Sequence, residues 1–495
     1  MRNILLTSVL LIAMSAFAQG DVGEVAFANS GAAEAQEPFL RGLALLHNFE
    51  YPHAAEAFRK AQEIDPSFAM AYWGEAMTYT HPIWFQQDAE AARAVLQRLG
   101  ATSAERLAKA KTERERDYLR TLDVLYGEGS KNERDFLYAD AMAALHQRYP
   151  DDVDATAFYA LALLGTAHEG RDLATYMRAA AVLEEVFPSH MRHPGVLHYL
   201  IHSYDDPIHA PLGMRAARLY GSVAPNAGHA LHMTSHIFVA LGMWDDVIDA
   251  NRRAIDVVNR ERDAKSKPHA DCGHYPTWLH YGYLQKRNLD EARKALDLCR
   301  ASAFPAKFEA AGPNDSLESR VDGYAEMRAH HVASGGTPSA ADAVADRGAW
   351  KPEIRFTLAY GDLLAAAQRK DRDALKKSAD ALRALQKDVI AKLTDDKETN
   401  PTWRIRIDVM VQEADALELI AADKRTDALK ILDLAAKAER SMPFEFGPPV
   451  VPKPAAELLA EQLILAGRAA DAAAAYKLVS ERNPGRTASA ANHVH

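Results

Sequence analysis

Apolar and small residues fall at helical spacing along most of this chain, and Ala and Leu far outweigh the β-branched residues, which favours helix nearly throughout. Within that pattern one short stretch is unusually ordered. Gly42, Tyr51, Ala54, Phe58, Ala61 and Pro66 read as two packed helices and a stop. Gly42 lets the helices approach, Tyr51 and Phe58 fill the space between them, and Ala54 and Ala61 sit at tight contacts. Pro66 ends the second helix because it lacks an N–H and clashes with the preceding turn. The register returns with Ala460, Gly467, Ala472, Tyr476 and Pro484, and with Gly242, Trp244, Val247 and Ala254. Weaker copies lie at Tyr138 to Pro150, Leu289 to Cys299 and Ala416 to Ala435.

Histidines keep time with these units. His198 and His232 are 34 residues apart, as are His202 and His236, and His47 and His81. In both spacing and residue types the chain resembles the tetratricopeptide family, whose repeat is a helix–turn–helix of about 34 residues. The resemblance implies an all-α, tetratricopeptide-type α-solenoid, a right-handed superhelix of helix pairs, here some eight or nine pairs with irregular insertions. One continuous solenoid is expected, since each unit buries its apolar face only against its neighbours. Breaks at Glu261 to Pro276, Ala301 to Ser316, Ser334 to Pro338 and the five-proline stretch Pro443 to Pro454 divide it. The layout expected is an array over 35–300, an irregular helical middle over 301–442, a Pro-rich crossing at 443–454, a last repeat at 455–486 and a tail at 487–495.

Eleven of the twenty histidines lie between His190 and His280, which concentrates the candidate chemistry there. His198 and His202 are four apart, and His229, His232 and His236 are spaced by three and four, so each set shares one helix face. By resemblance these positions, with Asp205 and Asp206, occupy the slots that face the concave groove; His47, Trp73 and His81 occupy groove slots of earlier units. Neutral imidazole is the commonest transition-metal ligand, and i,i+4 histidines chelate well from a helix. His198, His202, His232 and His236 are therefore the expected core of a site, with His229, His274 and Asp206 in support. Zn, Cu, Ni or Fe would suit the set. A shared site requires the His202 and His236 nitrogens to lie within about 10 Å of each other. His190 and His193 are read as capping or solvent-facing, His280 as a packing residue, His330 and His331 as a surface pair, and His493 and His495 as part of a disordered tail. His-Ala-Leu-His-Met-Thr-Ser-His-Ile-Phe at 229–238 resembles a motif of secreted bacterial tetratricopeptide proteins, with Thr234 where Pro is usual.

The first eighteen residues read as a secretory signal peptide, with Arg2 ahead of an apolar run and cleavage after Ala18, which implies a periplasmic or secreted protein with no membrane span after cleavage. Loss of Arg2 leaves 57 of 58 Lys and Arg against 68 Asp and Glu, a net charge of −11 that argues against nucleic acid. Cys272 and Cys299 are the only cysteines, and either a bridge or two thiols fits them. Nucleotide-binding glycine loops, a Ser-nucleophile elbow and a His-Glu-x-x-His zinc motif are all missing from the sequence. Three readings follow: an exported recognition protein, binding a peptide, protein or small molecule in a groove that carries a metal-binding histidine patch; a metal-dependent enzyme using the same residues; or a metal-free interaction scaffold.

Overall fold

The computed structural model describes residues 21–312, 315–344, 347–395 and 402–487. The expected leader at 1–18, His493 and His495 lie outside the described residues. Twenty-two α-helices, four short 3-10 turns and one two-stranded hairpin account for the ordered structure among the described residues. Each helix packs on its sequence neighbours, and the pairs stack into an α-solenoid of tetratricopeptide type. No helix among the described residues is long and apolar enough to cross a membrane.

Local chemistry explains the first unit. Gln36–His47 and Tyr51–Ile64 form the first pair, and the second helix stops two residues before Pro66. Turns between paired helices place one residue in the left-handed region. Glycine fills that place at Gly242 (φ 68°) and Gly467 (φ 73°), but Phe49 (φ 57°) fills it in the first pair. A bulky side chain is rare in that conformation. Its ring is aimed into the histidine cluster described below.

Three consecutive units bring their first helices side by side: Pro194–Tyr204, Gly228–Ala240 and His274–Gln285. Their partners Ala210–Val223 and Trp244–Ala264 pack behind them. The superhelix also curls back on itself, so that Gln36–His47 packs against Pro194–Tyr204. Gly195 allows the approach, because a Cβ there would lie 2.3 Å from His47 Nδ1. His47 is therefore next to the 190–280 cluster in space.

From 317 to 441 the helices pair regularly, with Pro352–Gln368 against Arg372–Asp395 and Thr402–Ala421 against Arg425–Ser441. Among the described residues of this stretch, the longest break in the pairing runs from Ser334 to Lys351, interrupted by the short 3-10 turn Ala340–Asp342. Cys272 and Cys299 form a disulfide that ties the start of one pair to its second helix. Ahead of the first helix, residues 21–32 run extended over the early units, with Val22, Val25 and Phe27 buried.

Candidate metal centre

On the Pro194–Tyr204 helix His198 and His202 are 0% and 2% exposed, and on the next first helix His229, His232 and His236 are 8%, 0% and 2% exposed. For His198, His229, His232 and His236, burial disfavours the charged form. The solvent-excluded surroundings hold His198, His229 and His232 well below the usual histidine range, and neighbouring imidazoles add to the shift. His236 is lowered as well, chiefly by burial, although its bond to Asp205 opposes the shift. Neutral rings are the form that binds metals.

Hydrogen bonds outside the cluster decide which nitrogen faces in. His198 Nδ1–H donates to the His47 carbonyl at 2.7 Å. His232 Nδ1–H donates to Asn251 Oδ1 at 2.7 Å, and the Asn251 amide is oriented by its own bond to the Val247 carbonyl at 2.8 Å. His236 Nδ1–H donates to Asp205 at 2.9 Å. In all three rings Nε2 is consequently the bare lone pair.

Two consequences follow. Nε2 of His198, His202 and His229 is buried without a hydrogen-bond partner among the described residues, and the ligating atoms of these three lie within 4.8 Å of one another. Each such orphan costs about 1–3 kcal/mol, so three come to about 3–9 kcal/mol, comparable with the about 5–15 kcal/mol that holds a domain folded. Nearby, Nε2 of His232 and Nε2 of His236 face each other at 3.2 Å. Two lone pairs at that distance repel unless a cation lies between them. Donors on a tetrahedral ion at 2.0–2.1 Å stand about 3.3 Å apart, close to the separation seen.

Aromatic walls enclose the cluster, and the sequence pattern did not signal them. Phe49 packs on His198 with ring centroids 4.2 Å apart and contacts His202 and His229. Trp84, carried by the hairpin of Thr80–His81 with Gln86–Gln87, meets His229 edge-on. Trp278 stacks on His236 at 4.5 Å, and Phe446 from the Pro-rich crossing covers the same ring at 4.8 Å. Gly447 (φ 95°) lets that crossing pass, since a Cβ there would sit 2.5 Å from the Trp278 ring.

No family model and no curated protein matches this chain. Among solved structures it is similar to the Cut9 complex with Hcn1 from the APC/C (10% identity, 94% of this chain and 77% of that one, TM-score 0.36). It is likewise similar to yeast Tom70 (12%, 93% and 96%, TM-score 0.30) and to the TPR domain of P58(IPK) (11%, 93% and 96%, TM-score 0.22).

The remaining candidate residues fall in varied places. The nitrogens of His202 and His236 lie within 4.8 Å of a common set with Asp205, well inside the 10 Å a shared site requires. His274, at the start of its helix, is exposed, and its ring centroid is 4.5 Å from that of His232. Asp205 and Asp206 exchange the parts expected of them. Asp206 is spent on Arg171 at 2.8 Å, on His209 Nδ1 at 2.8 Å and on the backbone N–H groups of Ile208 and His209, so it supports no cluster histidine. Asp205 orients His236 instead and pairs with Arg171 at 2.7 Å. Burial pushes its carboxyl up, but His202, His236 and Arg171 outweigh that and hold it below the usual range.

His47, expected in the open groove, is fully buried, donating from Nε2 to Asp154 at 2.9 Å and accepting at Nδ1 from Tyr199 at 3.0 Å. His193 caps the Pro194–Tyr204 helix through Nδ1 and approaches the same Asp154 at 3.3 Å. The ring nitrogens of that group are thereby all engaged. Trp73 is also core: Phe27 of the 21–32 segment stacks on it at 6.0 Å, covering the face expected to line the groove. His81 stacks on Tyr51 at 4.0 Å beside the cluster rather than in it. His330 and His331 are buried, correcting the expected surface pair, and His331 Nδ1 meets His280 Nε2 at 3.3 Å.

Proposed function

We propose that this protein is an exported, tetratricopeptide-type recognition protein that holds a transition metal in its histidine cluster and works in the periplasm or outside the cell. The observation that carries the metal reading is the convergence of three buried, partnerless Nε2 atoms from His198, His202 and His229. A bound ion takes up their lone pairs and supplies about 10–16 kcal/mol in structural zinc sites, enough to offset the cost of burying them. Helix pairs present the stacked inner surface on which proteins of this architecture hold partners, and the metal rigidifies that surface where three units and the first pair meet. The leader expected at 1–18 supports export.

Elemental analysis of untagged protein, loaded in turn with Zn, Cu, Ni and Fe(II) and then stripped of excess, tests the metal. At least one equivalent should be retained, and a variant with His198, His202, His232 and His236 all changed to Ala should retain none. Failure to retain any of the four metals would remove the metal from the proposal. N-terminal sequencing of the exported protein should begin at Gln19.

A further inference from the structure

Resting on the metal reading above, we infer that the cluster holds two metal ions side by side, one on His198, His202 and His229 and the other on His232, His236 and His274.

The six histidines separate into two trios with no member in common, and within each trio the ligating atoms lie within 4.8 Å of one another. Ring centroids stand 4.9 and 5.1 Å apart within the first trio and 5.1 and 4.5 Å within the second, against 5.6 Å for His202 and His236 and 6.0 Å for His229 and His232 between them. His202 and His236 also form a set with Asp205, whose carboxylate is held by Arg171 and the His236 Nδ1–H. Donors on opposite sides of a single ion with 2.0–2.1 Å bonds are at most about 4.2 Å apart. One ion therefore serves a trio after small ring rotations, and it cannot serve all six.

Each trio has its own reason to need a cation. The first has three partnerless buried nitrogens. In the second, His232 and His236 turn lone pairs toward each other at 3.2 Å, and both rings are pinned in that tautomer from outside, by Asn251 and Asp205. A metal in the first trio leaves that repulsion in place, and a metal in the second leaves the three orphans.

The donor set also narrows the metal. Asp205 and Asp206 are engaged with Arg171 and histidines, and both cysteines are in the disulfide, so neither carboxylate nor thiolate joins the trios. All-imidazole coordination suits Zn, Cu, Ni and Fe, and it does not suit Mg, Ca or Mn, which take oxygen ligands. Three protein ligands per ion leave each with an open position. The arrangement is thus a pair of three-imidazole transition-metal sites, for which Zn(II) and Cu(II) serve as probes.

Stoichiometry tests it. Metal-free, untagged full-length protein is loaded with Zn(II), and separately with Cu(II), and bound metal is counted after removal of the excess. Two equivalents are expected for the unaltered protein, one each for His229→Ala and His274→Ala, and none for the double variant. His274 is exposed, so that variant keeps its fold even where His229→Ala does not; circular dichroism checks both. A single equivalent in the unaltered protein overturns the paired centre and leaves the metal reading standing. Two equivalents of which His274→Ala removes neither also overturn it. Retention of neither Zn nor Cu refutes this inference and, with Ni and Fe(II) also negative, the metal reading beneath it.

Discussion

Replacing Asp205 by Asn separates the carboxylate's effect on the metal from its effect on the fold. The amide keeps the shape and can still accept from His236 Nδ1, now at 2.9 Å, but it removes the negative charge that makes that imidazole a stronger donor. Arg171 loses its ionic partner at 2.7 Å yet keeps Asp206 at 2.8 Å and the carbonyls of His202 and Ser203. Loss of a partner behind a ligating histidine costs 10- to 100-fold in metal affinity, about 1.4–2.7 kcal/mol. Competition against a chelator of known affinity measures it, beside a thermal melt of the metal-free protein. Asp206→Asn is the control, because Asp206 touches Arg171 and His209 but no cluster histidine. It should lower the melting temperature and leave metal affinity within about twofold. If Asp205→Asn binds metal like the parent, or if both variants weaken binding equally, the carboxylate acts through structure alone and the assignment of His236 as an oriented ligand fails.

Burial holds His280 well below the ordinary range and lowers His330 to about 3 and His331 to about 4. These groups stay neutral in the folded protein while the unfolded chain takes up protons below about pH 6.5; stability is therefore lost as the pH falls through that value, by about 4 kcal/mol for the three together at pH 5.5. Urea unfolding at pH 7.5 and 5.5 checks this: the other buried histidines add to the difference, and changing His330 and His331 to Asn should reduce it by about 2.7 kcal/mol. Gly447→Val forces a side chain onto the Trp278 ring at a φ of 95°, so the crossing should lift Phe446 off His236 and speed metal release, read by stopped-flow chelation. Reduction of the Cys272–Cys299 bridge, which spans 27 residues, should cost about 3.5 kcal/mol on the chain-entropy account, seen as a lower melting temperature with reductant.

Repeat spacing made the histidine cluster legible, because a 34-residue period returns a residue to the same face of the next first helix. What it could not convey was anything delivered by a turn, a hairpin or a crossing. Phe49 enters from a left-handed turn residue, Trp84 from the four-residue turn of a short hairpin and Phe446 from a segment more than 200 residues beyond His236. The exchange of Asp205 for Asp206 is an error of one position at a helix end, where helical geometry stops fixing direction. Trp73 takes a groove slot of its unit by resemblance, but it is buried in the core. The residue that covers it, Phe27, belongs to a non-repeating segment ahead of the first unit. His330 and His331 are adjacent, so one face cannot bury both; the helix Leu317–Ala333 is enclosed on more than one side, and burial of both follows.

The contact of His198 with the His47 carbonyl joins residues 151 apart in sequence. In an ordinary repeat array stability is a sum over adjacent units, and the ends fray independently. Here the first pair is clasped to a unit far along the chain, with Phe49 and the cluster histidines between them. The span from the first helix to His236 must consequently melt as one cooperative block, and an ion bound in the cluster stabilises that whole block rather than one repeat.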